Sequence, residues 1–232
     1  MKDNIFLKTI QVLTILYLSI FSVKAQSKVN FIEGGISYYV PSGLFGQNNG
    51  NKVGFELAYL NQIRENNPFF WGISTHYTSL GSYNAIVSQV VDFYIYDFNS
   101  TTTTNLWGFN GKLRYYPDIY TGRFEVYFEA LMGFNWIFTY TSKILESDPD
   151  NSSGQFDEGH IAVNYGAAAG IQYPAGKNFY INLKGGYYPG LSVPYYALSN
   201  KNTNLQTTLD AFELKRSTTD IMRFELGMTY RF

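Results

Sequence analysis

The sequence predicts an all-β protein: a closed, antiparallel, up-and-down transmembrane β-barrel, most simply of eight strands. Three observations support this fold class: the composition, eight segments of alternating apolar and polar residues, and connections that alternate between long and short. Aromatic residues make up 19% of the 232 residues and charged residues 15%, below the roughly 25% charged residues of soluble domains. The mean hydropathy of −0.16 excludes a bundle of transmembrane helices, each of which needs about 20 apolar residues.

Charge and cysteine content exclude several functional classes. The 17 basic and 18 acidic residues give a net charge of −1, which argues against a nucleic-acid partner, because such proteins present a basic surface. The chain has no cysteine, which excludes disulfides, thiolate metal sites, a cysteine nucleophile and a lipid-modified N-terminal cysteine. We therefore predict neither a nucleic-acid partner nor a cofactor.

The first 25 residues have the parts of a secretory signal peptide. Lys2 and Lys8 give a basic start, residues 9–23 are mostly apolar, and Ala25 supplies a small residue before the cleavage point. An uncleaved membrane anchor is disfavoured because the apolar stretch is short for a span. We therefore predict removal of residues 1–25, export of the protein, and a single barrel domain over residues 26–232.

Eight segments of the exported chain alternate as strands with one apolar face do. The C-terminal segment is the clearest, with apolar residues on one face and Arg223, Glu225 and Arg231 on the other. Each segment reaches the roughly 9–11 residues that a tilted strand needs to cross a bilayer. The predicted strands span residues 29–40, 53–61, 68–78, 105–116, 123–141, 160–173, 178–188 and 219–232.

The connections between these strands alternate in length, which is an independent signal. Their lengths are 12, 6, 26, 6, 18, 4 and 30 residues along the chain. Outer-membrane barrels have long external loops and short periplasmic turns, so this order places both termini in the periplasm. A soluble secreted barrel is the rival fold, disfavoured because its outer face would expose rows of aromatic residues to water. Ten strands are the alternative if the second or fourth long loop adds a hairpin.

The last strand resembles the assembly signal of bacterial outer-membrane barrels, in which apolar residues count back in twos from a C-terminal aromatic residue. The residues of this predicted signal are Phe224, Leu226, Met228, Tyr230 and Phe232. With the Val-Lys-Ala-Gln junction at the cleavage point, the mature chain resembles the small outer-membrane β-barrel domain proteins of the Bacteroidota. The resemblance implies the outer membrane of a Gram-negative bacterium, contact with outer-membrane lipids and lipopolysaccharide, and insertion by the barrel-assembly machinery. Members of this class are anchors, adhesins, small porins or lipid-modifying enzymes.

Five acidic and five basic residues fall on the predicted inward face. An eight-stranded barrel is just wide enough for side chains to fill, and charges in such an interior have to be paired. The balance of signs favours a paired plug over an ion pathway, which is the alternative interpretation. The predicted lumen charge network consists of Glu33, Glu56, Lys112, Arg114, Glu125, Glu129, Lys184, Arg223, Glu225 and Arg231.

Candidate catalytic and metal-binding residues are few. His76 lies near the outer end of the third predicted strand, where outer-membrane lipid hydrolases pair a serine with a histidine, but the next residue on its face is Thr78. We therefore expect His76 to be a polar residue near the barrel rim. His160 follows Asp157 and Glu158 without the regular spacing of metal ligands. The sequence predicts no catalytic residue and no metal site.

The long loops hold the remaining information. Tyr187, Tyr188, Tyr195 and Tyr196 lie in or beside the fourth loop and either form a binding surface or pack over the barrel mouth. The β-prone stretch 90–98 allows the strands to continue above the membrane as a hairpin. We predict a structural or surface-interaction barrel with an unknown extracellular or periplasmic partner. A narrow porin is the first alternative and a lipid-modifying enzyme the second.

Overall fold

The computed structural model describes residues 28–91, 93–119, 121–145, 148–199 and 207–232. The predicted signal peptide lies outside the described residues. Within them, no helix is long and apolar enough to cross a membrane. The elements in chain order are β1 (Asn30–Pro41), α1 (Gly43–Asn49), β2 (Lys52–Gln62), β3 (Phe69–Val91), β4 (Tyr94–Tyr115), β5 (Glu125–Leu145), β6 (Asp148–Pro174), β7 (Phe179–Tyr188), β8 (Val193–Leu198), the 3₁₀-helix η1 (Thr208–Ala211), β9 (Phe212–Ser217) and β10 (Ile221–Arg231).

Eight of the strands close into one antiparallel barrel, as predicted. The ring runs from β1 through β2, β3, β4, β5, β6 and β7 to β10, which pairs with β1. A path that starts at Ile161 of β6 and passes from each residue to its register partner on the next strand returns to β6 at Ile171. The ring therefore closes with a stagger of ten residues. Because strands that close with a stagger are tilted from the barrel axis, typically by about 35–45°, facing residues on neighbouring strands lie at different heights.

The fourth long loop adds a hairpin without adding strands to the barrel wall. β8 and β9 pair only with each other and form a separate two-stranded sheet. The first long loop likewise contains the short helix α1.

Two predicted loops are strands in the structure. We expected loops over residues 79–104 and 142–159, with a hairpin extension allowed at residues 90–98. β3 pairs with β4 as far as Val91 and Tyr94, which confirms that extension. The loop boundaries were wrong, as β5 also pairs with β6 as far as Leu145 and Asp148. The sequence there alternates weakly, and cross-strand pairing decides the conformation. The barrel wall therefore rises on one side as a four-stranded sheet, which we call the raised sheet.

The two ends of the barrel differ. Asn30 and Phe232 exchange two backbone hydrogen bonds of 2.8 and 3.0 Å at what we call the terminal end. The raised sheet, α1 and the β8–β9 hairpin lie at the opposite end, which we call the hairpin end.

The outer face carries the apolar side chains and the inner face the polar ones. In β10, Arg223 and Glu225 are buried, whereas the apolar residues between them point outward. Exposed apolar residues continue around the wall on every strand of the ring, which is the surface of a barrel that contacts hydrocarbon. The outward set includes all five residues of the predicted assembly signal: Phe224, Leu226, Met228, Tyr230 and Phe232.

Candidate functional site

The middle of the lumen is filled by a layer of buried charges. We call these eight residues the ion-paired layer: four are acidic, four are basic, and none is more than 4% exposed. The structure thus brings together eight of the ten residues of the predicted network. They are Glu33, Glu56, Glu129, Glu225, Lys112, Arg114, Lys184 and Arg223.

Glu56 of β2 is the centre of one half of the layer. Its carboxylate accepts a hydrogen bond from Lys112 of β4 and lies 3.1 Å from Nζ of Lys184 on β7. Its second oxygen lies 2.7 Å from a guanidinium nitrogen of Arg223 on β10. One carboxylate therefore joins four strands of the ring, and Lys184 extends the group to Glu225 at 3.1 Å.

Arg114 of β4 organises the other half. Its Nε donates to Glu129 at 2.8 Å, and a terminal nitrogen donates to Glu33 of β1 at 2.7 Å. The planar guanidinium, with donors at fixed angles, suits two carboxylates at once. Lys112 and Lys184 lie 3.6 and 3.5 Å from Glu129, so the two halves are continuous.

Aromatic rings complete the environment of the two arginines. The Arg114 guanidinium lies 4.1 Å from the ring centroid of Tyr127, and that of Arg223 lies 4.4 Å from Tyr188 and 5.8 Å from Tyr39. Cation–π contacts of this kind stabilise a desolvated charge. We did not predict contacts between these tyrosines and the arginines, although strand alternation places each tyrosine on the face that carries the charges. Tyr188, expected in a binding surface or over the barrel mouth, is buried against Arg223 instead.

Glu125 and Arg231 lie outside the ion-paired layer. Both sit near the terminal end, where Arg231 donates to the Tyr180 hydroxyl at 3.2 Å and its guanidinium lies 5.7 Å from the Phe31 ring. Glu125 borders a shallow cavity at this mouth. The alternation of inward and outward residues shows which side chains face the lumen, but it does not show whether they lie at the mouth of the barrel or in its middle.

His76 lies in the lumen and not at the rim. It is 2% exposed, and its Nδ1 lies 3.3 Å from the side-chain nitrogen of Asn110. The expected position was wrong because β3 continues to Val91, so the end of the predicted strand is the middle of the real one. Among the described residues, no hydrogen bond joins a serine hydroxyl to either histidine, and Thr78 donates to the Val53 carbonyl.

His160 pairs with a carboxylate near the hairpin end, on the inner face of β6, where its register partner Ile137 is buried. Its Nε2 lies 2.7 Å from Glu158, whereas Asp157 accepts a hydrogen bond of 2.6 Å from Thr141. In the part of the chain that the structure describes, no three histidine or acidic side chains are grouped to hold a metal ion.

An aromatic cluster closes the lumen toward the terminal end. Phe31 and Phe70 stack with ring centroids 4.7 Å apart, and Tyr116 meets both edge-on. Buried Leu60 and Ala58 belong to the same cluster. These residues separate the ion-paired layer from the terminal mouth by a layer without charge.

The hairpin end is covered by α1 and the β8–β9 hairpin, which we call the cap. Phe45 of α1 meets Tyr195 of β8 edge-on at 5.0 Å, and both are buried. The Tyr195 hydroxyl accepts a hydrogen bond of 2.8 Å from Asn48 and lies 2.9 Å from the Ser217 hydroxyl. At the next position, burial and the nearby negative charge of Glu158 raise the pKa of Tyr196.

The comparisons with known proteins give similar solved structures but no family. No family model matches the chain, and no curated protein does. The chain is similar to Ail, the attachment invasion locus protein of Yersinia pestis, with 15% identity over 88% of this chain and 99% of Ail and a TM-score of 0.39. It is also similar to a major outer membrane protein from Thermus thermophilus, with 13% identity over 89% and 100% of the chains and a TM-score of 0.45. For outer membrane protein W of E. coli, the identity is 14% over 88% and 97%, with a TM-score of 0.40.

Proposed function

We propose that the protein is an integral outer-membrane barrel with a closed lumen, which acts at the cell surface through its outer wall and hairpin end. The ion-paired layer carries this proposal. Four acidic and four basic side chains, all buried, neutralise one another across the lumen. An ion would have to displace these pairs to pass, and breaking a buried pair is costly.

The outer surface supports a location in the membrane, and the two ends of the barrel support the proposed orientation. The ring of exposed apolar side chains fits the hydrocarbon of a bilayer. The hairpins at one end and the termini at the other support external hairpins and periplasmic termini, because external loops are the long ones in such barrels. The Val-Lys-Ala-Gln junction and the terminal Tyr-Arg-Phe support a barrel of the Bacteroidota type, inserted by the barrel-assembly machinery and surrounded by lipopolysaccharide.

Planar-bilayer recording tests the closed lumen. The purified, refolded protein is inserted into a planar bilayer, and insertion is checked by protease protection and by heat-modifiable electrophoretic mobility. We expect no conductance steps from inserted wild-type protein. Steady steps would contradict the proposal and favour the narrow-porin alternative.

A matched variant shows that the assay detects an open lumen. Glu33→Ala with Arg114→Ala removes one charge of each sign from directly paired side chains, so the net charge of the lumen is unchanged. The same variant carries Phe31→Ala and Phe70→Ala, which remove the stacked rings that close the lumen toward the terminal end. We expect this variant to conduct, whereas wild-type protein inserted at the same density stays silent.

A further inference from the structure

The outer face of the raised sheet carries a strip of aromatic rings. Trp136, Phe138 and Tyr140 follow one another on the outer face of β5, and Phe156 of β6 faces Tyr140 in the register. The rings of Trp136 and Phe138 stack at 4.4 Å, and those of Trp136 and Phe156 are 6.3 Å apart at 32°. Tyr140 is 41% and Phe156 53% exposed. We call these four residues the aromatic strip.

Two glycines allow the rings to lie flat against the wall. A Cβ at Gly159 would lie 2.7 Å from Cζ of Phe156 and 2.8 Å from Nε1 of Trp136. A Cβ at Gly154 would overlap the Tyr140 hydroxyl. Side chains at either position would push the rings out of place, because real Cβ atoms do not approach other atoms so closely. The strip therefore presents aromatic faces, not edges, to its surroundings.

The strip begins at the membrane interface and ends above it. Tyr77, Trp107 and Trp136 are outward-facing register partners on three neighbouring strands, so at a tilt of about 40° they lie within roughly 6 Å of one another in height. Girdles of aromatic residues mark the interface in such barrels. Tyr140 lies four residues further along β5. With a rise of about 3.3 Å per residue and a tilt of about 40°, its Cα lies roughly 10 Å further from the bilayer centre than that of Trp136.

The neighbourhood of the strip is polar but carries no positive charge. Among the described outer-face residues of the raised sheet there is no lysine or arginine, which argues against recognition of phosphate or sulfate groups. Apart from the exposed Ile144, the outer-face side chains around the upper part of the strip carry hydroxyl and amide groups. They are Asn99, Thr101, Thr103, Ser142 and Ser152.

We propose that the aromatic strip binds the neutral sugars of lipopolysaccharide in the surrounding outer leaflet. The C–H bonds on one face of a pyranose ring carry partial positive charge, which suits the negative face of an aromatic ring. Sugar hydroxyls exchange hydrogen bonds with hydroxyl and amide side chains. This proposal names the ligand of the outer wall and rests on the membrane orientation proposed above.

The direction in which the rings face favours lipopolysaccharide of the same membrane, and not a glycan of another cell, as the source of the sugar. The strip lies on the outer face of the wall, so its rings face sideways toward neighbouring lipids. A glycan carried by another cell would meet the tips of the β3–β4 and β5–β6 hairpins before it reached Tyr140. Tyr140, whose Cα lies roughly 10 Å further out than that of Trp136, and its register partner Phe156 face the sugars of neighbouring lipopolysaccharide from the side.

Tryptophan fluorescence of the refolded full barrel tests the proposal. Trp71→Phe and Trp107→Phe leave Trp136 as the only reporter. The probe is the neutral hexose part of the lipopolysaccharide core, without phosphate and without the acidic octulosonate sugars, so that only neutral sugar stacking is measured. We expect a saturable blue shift of the Trp136 emission. Tyr140→Ala with Phe156→Ala is expected to weaken binding roughly tenfold or more, which corresponds to about 1.4 kcal/mol.

Two further variants separate stacking from folding. Gly159→Val keeps all four rings but displaces them, so we expect it to weaken sugar binding as well. Tyr165→Ala removes an outward tyrosine of β6 that lies outside the strip, so binding should be unchanged. Heat-modifiable mobility confirms that each variant is folded, and a double variant that fails to fold is replaced by Gly159→Val.

Three results would overturn the proposal. They are an absent response in the wild-type reporter, equal affinity in the strip variants, or equal affinity for an unrelated neutral glucan. Binding that requires the phosphates of the core would also contradict stacking on neutral sugars. Conductance of the wild-type protein with retained sugar binding would instead overturn the closed lumen and leave the strip assignment intact.

Discussion

At the scale of single residues, the lumen depends on a few carboxylates with several cationic partners each. Glu56 touches Lys112, Lys184 and Arg223, so one side chain balances charges that come from three other strands. Buried ion pairs contribute little net stability over apolar packing, but removal of one partner leaves an uncompensated charge. The sensitive residues should therefore be those with the most partners.

Glu56→Gln tests this dependence. The amide keeps the volume of the side chain but removes the negative charge between three cations, so we expect a loss of about 3–5 kcal/mol in the free energy of unfolding. Urea unfolding of the refolded barrel, followed by tryptophan fluorescence, measures the change.

The matched control is Glu125→Gln, which changes an inward carboxylate near the terminal mouth, outside the ion-paired layer. We expect it to change stability by less than about 0.5 kcal/mol, as most substitutions away from buried networks do. Equal losses in the two variants would show that the network does not govern stability.

At the scale of elements, the wall and the cap are held by different interactions. The wall is a closed hydrogen-bonded ring, whereas the β8–β9 hairpin has a ladder of its own and fits the mouth through side chains such as Tyr195. The ion-paired layer lies deeper in the lumen and is built entirely from ring strands. Closure of the lumen should therefore not depend on the cap.

Replacement of residues 192–216 by a short glycine–serine linker tests whether the cap or the ion-paired layer closes the lumen. We expect the variant to fold with the circular dichroism of a β-barrel and to remain silent in planar bilayers, since the ion-paired layer is intact. Its thermal stability should fall, because Phe45 loses its packing against Tyr195. Conductance steps in this variant would identify the cap as the closure.

At the scale of the whole molecule, the barrel has to be inserted into its membrane as well as be stable there. Phe232 is 50% exposed and stacks on Tyr230 at a centroid distance of 5.9 Å. Because half of the Phe232 side chain is exposed, it contributes little to the packing of the folded barrel. Its predicted role lies in recognition by the assembly machinery.

Phe232→Ala should therefore lower the amount of barrel that reaches the outer membrane in cells, while refolding of the purified variant into micelles stays close to that of the wild type. Membrane fractionation and heat-modifiable mobility measure the two quantities. Phe179→Ala is the control, since Phe179 is 49% exposed and packs on Tyr230 from the neighbouring strand. Equal assembly of both variants would remove the special role of the terminal residue.

The sequence alone determined the ring of eight strands and the face of each residue. A period of two is a local property, and a hydrocarbon exterior with a polar interior imposes it on every ring strand. For the same reason, alternation assigned Glu33, Glu56 and Arg114 to the lumen and Phe224 and Tyr230 to the outside. It did not give the lengths of the connections, because residues 79–104 and 142–159 pair across strands instead of forming long loops.

Only the tertiary structure decided which inward residues meet. The stagger of ten residues sets the heights at which β2, β4, β7 and β10 face one another, and so it places Glu56 among three cations and leaves Glu125 and Arg231 near the mouth. The lengths of β3–β6 likewise depend on cross-strand pairing, which moved His76 from the expected rim into the lumen. The physical reason is that alternation is encoded locally, whereas register, height and closure arise from contacts between strands far apart in the chain.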